Sequence, residues 1–371
     1  MMGDIEMLPA SETVLTRPRP PLAWPPQLLM QALQSKGIRP GQARQAVRDI
    51  GHAQRTAQLT RAQALALCSK PVMAQLADLY LDTPSLTLAE RASSQDGSER
   101  LLWRTTDGQV LESVIIPSSN GRRVTVCVSS QVGCARRCAF CETGRLGLQR
   151  NLQTCEIVEQ FQGSLLLWQQ VRGDRPALSN VVFMGMGEPL DNWPQVVDAV
   201  NILSDTLAFG VSIRKITVST VGVAQQLPAF FDQTRANLAL SLNAPDDARR
   251  ARVMPIGRGC NLAELKEKIL ACLPAGREIL VEYILFAGFN DALADADLLG
   301  AWLQGIPSRC NLIPANPGPD PALRQPDQEQ VLAFQKRLLE QGVRAMVRYP
   351  HGRDVGGACG QLAGLHRQKA G

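Results

Sequence analysis

Cys134-Ala135-Arg136-Arg137-Cys138-Ala139-Phe140-Cys141 places three cysteines at the spacing C-x3-C-x2-C within one short loop. Three thiolates can hold three irons of a [4Fe–4S] cube and leave the fourth iron without a protein ligand. An open iron can be chelated by the amino and carboxylate groups of S-adenosylmethionine (SAM). Short spacers suit this arrangement, because all three thiolates must converge on one small cube. A structural zinc site asks for four ligands. No fourth Cys or His follows at a usual spacing, and His52, His351 and His366 are remote in sequence. The stretch therefore reads as a cluster loop.

The rest of the composition agrees with a globular protein that uses cysteine for chemistry. The chain of 371 residues is long enough for one large domain and a small one, and 45% of it is hydrophobic. Ten cysteines are too few for a disulfide scaffold of this length, and their clustering fits a reducing compartment. A net charge of +5 permits a nucleic-acid partner without requiring one. No stretch approaches the length of a membrane span, and the first residues lack the apolar core of a signal peptide. A cytoplasmic protein is expected.

Outward from the loop, the pattern divides the chain. Residues 1–22 read as a loose, Pro-rich tail, and 366–371 as a second tail. Residues 23–95 read as a helical accessory domain, with Leu28, Leu29, Ala32 and Leu33 at helical spacing and a break at Gly37–Gly41. Such a domain suits a nucleic-acid backbone, and equally a plain packing module. Residues 96–123 read as a β-hairpin extension. Its strands Leu101–Thr105 and Val110–Ile116 flank Asp107-Gly108, a strong hairpin signal, and a second turn falls at Ser119-Asn120-Gly121.

From Val124 to about residue 365, strands and helices alternate, which argues for a parallel sheet. Six repeats predict an α/β fold, a (β/α)6 partial TIM-like barrel. In such barrels ligand sites gather at the carboxyl ends of the strands. Several strands there run into polar or Gly-rich elements: Gly185-Met186-Gly187-Glu188-Pro189, Ser219-Thr220-Val221-Gly222, Ser241-Leu242-Asn243-Ala244-Pro245 and Pro314-Ala315-Asn316-Pro317. Taken singly, each reads as helix capping; on one rim they favour one ligand. Near the end, Cys359 stands among Gly356, Gly357 and Gly360, which suits a reacting thiol or a free cysteine in a flexible tail.

The C-x3-C-x2-C loop resembles the signature of the radical-SAM superfamily. The longer runs Cys127–Cys134, Arg150-Asn151-Leu152, Phe183–Leu190, Val253–Ile256, Val281-Glu282-Tyr283, Asn311–Pro314 and Ala358–Leu362 resemble the RlmN/Cfr family of radical-SAM RNA methyltransferases. The likeness covers residues 100–365 in order. It implies a helical N-terminal domain, a small β extension and the partial barrel. By position it implies Cys134, Cys138 and Cys141 as cluster ligands. It likewise implies Gly187, Glu188, Ser219, Ser241, Leu242, Asn243 and Asn316 as SAM-binding residues. Cys359 matches the cysteine that becomes S-methylated, Cys127 the second catalytic cysteine, and Glu112 the proton acceptor.

The implied chemistry uses two SAM molecules per turnover. One methylates Cys359. The other, on the open iron, starts a radical route to an adenine ring carbon, which is not nucleophilic enough for direct transfer. Cys127 then releases the product and a disulfide is left. The implied substrate is an adenosine of 23S rRNA, with tRNA as an alternative and an external electron donor such as flavodoxin. Asn243 stands where the family usually has His, the segment 349–357 differs from the family pattern, and Glu142 replaces a small residue. Arg122, Arg123, Arg136, Arg137, Arg145, Arg150, Arg344, Arg348 and Arg353 are expected near the rim, suited to phosphate or to a solvated face. Competing readings are a radical-SAM enzyme acting on a non-RNA substrate, and a non-catalytic Fe–S or zinc RNA-binding module.

Overall fold

The computed structural model describes residues 24–55, 61–77, 85–118, 121, 123–173 and 177–362. Both tails, the residues at 78–84, Ser119 and Asn120 of the second turn, Arg122 and His366 lie outside them.

Among the described residues four helices come first: α1 (Pro26–Ser35), α2 (Pro40–Gln54), α3 (Arg61–Ala66) and α4 (Lys70–Ala77). Pro26 and Pro40 open the first two, where a missing N–H costs nothing. Their apolar faces close a core of their own around Trp24, Leu33, Ala43, Val47, Ile50 and Leu76. The module is attached to the rest through Leu207, which packs on this core, and through Arg55, whose guanidinium donates to the carbonyls of Thr206 and Ala208.

Three antiparallel strands follow, β1 (Leu86–Ser93), β2 (Glu99–Thr105) and β3 (Val110–Pro117). The sheet thus begins inside the range 23–95 drawn for the helical accessory domain, close to Thr87, where the sequence pattern turns from helices to strands. β1 lies at the sheet edge with its side chains mostly exposed. β3 pairs antiparallel with β4 (Arg123–Cys127), and from β4 onward every pairing in this sheet is parallel: β7 (Ala177–Phe183), β8 (Ile216–Thr220), β9 (Asn237–Ser241), β10 (Ile279–Leu285), β11 (Ser308–Pro314) and β12 (Ala345–Val347). One ten-stranded sheet therefore joins the extension to the partial barrel. A separate two-stranded ribbon, β5 (Gln131–Gly133) with β6 (Leu148–Asn151), brackets the cluster loop and the short α5 (Glu142–Leu146).

The crossover helices are α6 (Thr154–Arg172), α7 (Trp193–Ser204), α8 (Leu227–Gln233), α9 (Asp247–Val253), α10 (Leu262–Cys272), α11 (Leu293–Leu303) and α12 (Gln328–Glu340). Local chemistry sets their ends. A Gln153/Glu156 capping box starts α6, an Asn261/Glu264 box starts α10, and Asp327 caps α12. Pro228 begins α8 after a 3-10 turn at Ala224–Gln226, which divides a segment whose periodicity reads as one helix. α9 was not expected; its run of arginines hides the apolar face.

The core lies between sheet and helices. On β10, Ile279, Val281, Tyr283 and Leu285 are buried, and Tyr283 stacks on Phe334 of α12 with ring centroids 5.7 Å apart. The intervening Leu280, Glu282 and Ile284 turn the other way, into the barrel interior.

Candidate active site

The cluster loop is pinned at its base by the β5–β6 ribbon and by Cys134 N donating to Gly147 O at 3.1 Å. Its middle is tied to α9, where Ala139 N donates to Val253 O at 2.9 Å. Cys134 and Cys138 are buried, and Cys141 is half-buried at the start of α5. Burial pushes the Cys134 thiol up to about 12 and Cys138 well above its ordinary range, and Cys141 and Cys134 raise Cys138 further. Three thiolates this close resist ionising together in a low dielectric. A cationic iron–sulfur core supplies the missing charge. Among the described residues no three His, Cys, Asp or Glu side chains converge on a single metal ion, and His351 is paired with Asp96 at 3.0 Å. The donor set is three thiols of one loop, which fits the cube.

An apolar wall adjoins the loop. Phe140 and Phe286 lie with ring centroids 5.7 Å apart, and Cys138, Ala244, Val253, Met254 and Ala315 pack in the same cluster.

The residues expected to bind SAM come from the carboxyl ends of β7, β8, β9 and β11, along one rim. Gly187 has φ +100°, and a Cβ there would stand 2.6 Å from Gln131 Cβ, so only glycine fits. Glu188 is buried and pushed up to about 7 by burial. Its Oε1 accepts from Leu190 N (3.0 Å) and its Oε2 from Val221 N (2.8 Å). Ser219 Oγ donates to Phe183 O at 2.7 Å, and Leu242 N donates to Glu282 O at 3.0 Å. Ser241 is half-buried at the end of β9.

Asn243 is spent on the fold. It is buried with left-handed φ 57°, its Oδ1 accepts from Ile284 N (2.9 Å) and its Nδ2 contacts Met254 Sδ (3.5 Å). Asparagine tolerates that backbone better than most residues, which gives the departure at this position a structural reason. Asn316 Oδ1 is buried with no hydrogen-bond partner, an acceptor left over for a ligand donor.

The C-terminal segment returns to the cluster loop. Glu142 N donates to Gly360 O (2.7 Å), Thr143 Oγ1 to Leu362 O (3.2 Å) and Gln361 Nε2 to Pro317 O (3.2 Å). A Cβ on Gly360, whose φ is +83°, would press on Phe140 O at 3.1 Å. Cys359 is thus held against the loop it follows by more than 200 residues in sequence. The residue as a whole is exposed, yet burial of its sulfur pushes the thiol up to about 11, with Glu282 and Cys141 adding to the rise. Cys127, at the end of β4, is buried; its thiol is raised by burial first and by Cys359 second. The two thiols are thus within electrostatic reach of each other.

Glu112 is buried beside Cys127. Cys127 registers with Val114, and Glu112, two residues along β3, shares that face. Its carboxylate pairs with the buried Arg100 guanidinium.

Not all expected rim arginines reach the rim. Arg344 pairs with Glu278, just before β10, and donates to Ser308 O at the start of β11; Arg123 begins β4. Both lie at the amino ends of strands, opposite the cluster, because a residue preceding a strand cannot stand at its carboxyl end. Arg122 is outside the described residues. Arg136 is paired with Asp191, Arg145 with Glu142, and Arg150 with Asp107 and Glu156. Arg348 Nε donates to Asn311 Oδ1 and Arg353 to Gln325. Arg137 is exposed in the cluster loop.

Three residues were not singled out from the sequence. Arg100 pairs with Glu112. Arg250 is fully buried behind the cluster loop. Glu282 faces the barrel interior, pushed up to about 7 by burial, with Asn311 Nδ2 donating to it at 3.0 Å. A lone acid in the apolar run Ile279–Leu285 was the available signal for Glu282. Nothing distinguishes Arg250 among its neighbours Arg249 and Arg252.

Comparison with known proteins follows this geometry. The family model of the Radical SAM superfamily matches residues 128–299. A probable RNA methyltransferase of Sorangium cellulosum is 54% identical over 82% of this chain and 76% of its own length. A dual-specificity RNA methyltransferase RlmN of Anaeromyxobacter sp. is 44% identical over 76% of each chain. The crystal structure of a radical SAM methyltransferase from Sphaerobacter thermophilus superposes with a TM-score of 0.81 at 34% identity, over 93% of this chain and 99% of that one.

Proposed function

Because this chain belongs to the RlmN/Cfr family of radical-SAM RNA methyltransferases, we propose that it methylates a ring carbon of an adenosine through S-methylated Cys359. The preferred RNA is 23S rRNA, and tRNA is the second; relatives called dual-specificity RNA methyltransferases support more than one RNA. The enzyme works with a [4Fe–4S] cluster and SAM. Cys134, Cys138 and Cys141 would hold the cluster, and Gly187, Glu188, Ser219, Ser241, Leu242, Asn243 and Asn316 would line the SAM site, with Asn243 contributing backbone. Together the bound groups supply one-electron chemistry that a carbon-bound hydrogen requires.

The residues of the chain do the rest. Cys359 loses its proton and takes a methyl group from SAM: a sulfur–carbon bond forms and the sulfonium carbon–sulfur bond breaks. A hydrogen atom leaves that methyl carbon through the one-electron chemistry of the bound groups, so that the carbon can bridge Cys359 to the base; Glu112 then takes the ring proton, and the odd electron passes back to the bound groups. Cys127 attacks the Cys359 sulfur, the sulfur–carbon bond breaks, and the freed carbon is protonated to methyl. Reduction of the resulting Cys127–Cys359 disulfide resets the enzyme, and an external donor such as flavodoxin supplies electrons.

The observation that supports this reading is that a thiol ending the first parallel strand and a thiol following the last one lie within electrostatic reach, with Glu112 on the face beside Cys127. Nucleoside mass spectrometry of rRNA and tRNA from cells with and without the gene tests it. A methyladenosine lost from rRNA, tRNA or both is expected; no loss from either pool overturns the substrate.

A further inference from the structure

We propose that Arg250 tunes the reduction potential of the cluster by holding a permanent positive charge behind Cys138. Arg250 has no solvent exposure. Among the described residues it makes no ion pair; Nη2 donates to Val221 O at 2.6 Å, Nη1 reaches Cys260 O at 3.5 Å, and Nε is buried without a partner. A guanidinium cannot shed its proton, and a buried charge without a counter-charge is costly.

Three groups interact with it electrostatically: Cys260, Asp247 and Cys138. The Cys260 thiol points its sulfur at Asn261 O (3.7 Å), as a protonated donor does. Asp247 is exposed, and its Oδ1 accepts from Leu262 N at 2.7 Å; solvent screens it. Cys138 is buried. It packs with Val253 and Met254, while Ala139 N bonds Val253 O. Arg250 stands one helical turn before Val253 on α9, so the helix that carries the charge is fastened to the loop that carries the thiol.

A cluster on three thiolates bears net negative charge, and reduction adds to it. A fixed cation in the same low-dielectric region favours the reduced form more than the oxidised one. The competing role is a strut that only ties together the Val221 and Cys260 carbonyls; lysine would keep the charge and lose part of the strut.

The inference rests on Cys138 being a cluster ligand, which iron loading of C138A measures separately. Full loading in that variant refutes the ligand assignment. Anaerobic reductive titration, followed by absorbance and electron paramagnetic resonance at matched iron content, compares wild type, R250Q and R250K. R250Q is expected to be at least tenfold harder to reduce, which is 59 mV for a one-electron couple, and R250K to stay near wild type. An unchanged potential in R250Q overturns the inference. Where R250Q takes up no iron, R250K decides: a potential kept near wild type supports the role of charge, and a tenfold fall refutes it.

Discussion

Asn316 Nδ2 donates to the main-chain oxygen of Cys359 at 3.1 Å. One side chain from the end of β11 thereby sets the height of the proposed methyl-carrying thiol above the barrel, while its own Oδ1 stays free for a ligand. Asn316→Ala removes both. Methylation is expected to fall on the order of 10²-fold, the cost of a misplacement near 1 Å. Iron content should stay at the wild-type level, since no cluster cysteine is touched. Turnover at wild-type rate would show that the contact positions nothing.

Cys127→Ala should trap its substrate. Bond formation between Cys359 and the base can proceed, but no second sulfur remains to attack. A denaturing gel of the purified variant should show a slower, RNase-sensitive band, absent when Cys359 is also replaced. Normal turnover by Cys127→Ala, or an adduct that survives loss of Cys359, would sink the mechanism.

The Arg100–Glu112 pair is buried on both sides. Arg100→Met strands a carboxylate, and the expected loss of stability is about 3–5 kcal/mol. Adding Glu112→Gln should recover much of it in a denaturant melt, though not activity. A single variant as stable as wild type would mean that the pair is not what holds Glu112 in place.

Stability should also fall as pH rises from about 4.5 to 7. Glu159 is buried on α6, accepts from Ser85 N (2.9 Å) and Leu86 N (2.8 Å), and is pushed by burial from 4.5 up to about 7. Between those values the folded chain keeps a proton that the unfolded chain has released, so unfolding becomes easier as pH increases. In Glu159→Gln the drop between pH 5 and pH 8 should shrink, while overall stability declines because one backbone N–H loses its acceptor. An identical pH slope in both proteins would count against the buried acid as its source.

The parallel barrel was legible because its strands are apolar runs separated by well-capped helices; Ile279–Leu285 is such a run. β5 and β6 were not, since a strand of three residues such as Gln131–Gly133 has no period to detect. The three loop cysteines stood out by their spacing, whereas Cys127 and Cys359 stood out through the resemblance. Their supports were not: Arg100 and Arg250 look like surface arginines until the sheet and α9 bury them, and Arg344 looked like a rim residue until its place before β12 put it at the far end. Asn243 read as a ligand residue, and only the contacts of its amide with Ile284 N and Met254 Sδ show that its side chain is occupied.

Cys359 follows every parallel strand in the chain, yet it is fastened to Glu142 and Thr143 by the segment around it. In a protein made from its amino end, the three loop cysteines leave the ribosome long before it does. The cofactor loop is therefore finished early, and the last segment arrives as a strap buckled over a completed frame. A message cut short just before Cys359 would still encode all twelve strands of the described residues. If Cys359 carries the methyl group as proposed, its product would lack the reacting thiol, and the final stretch of translation would be the step that arms the enzyme.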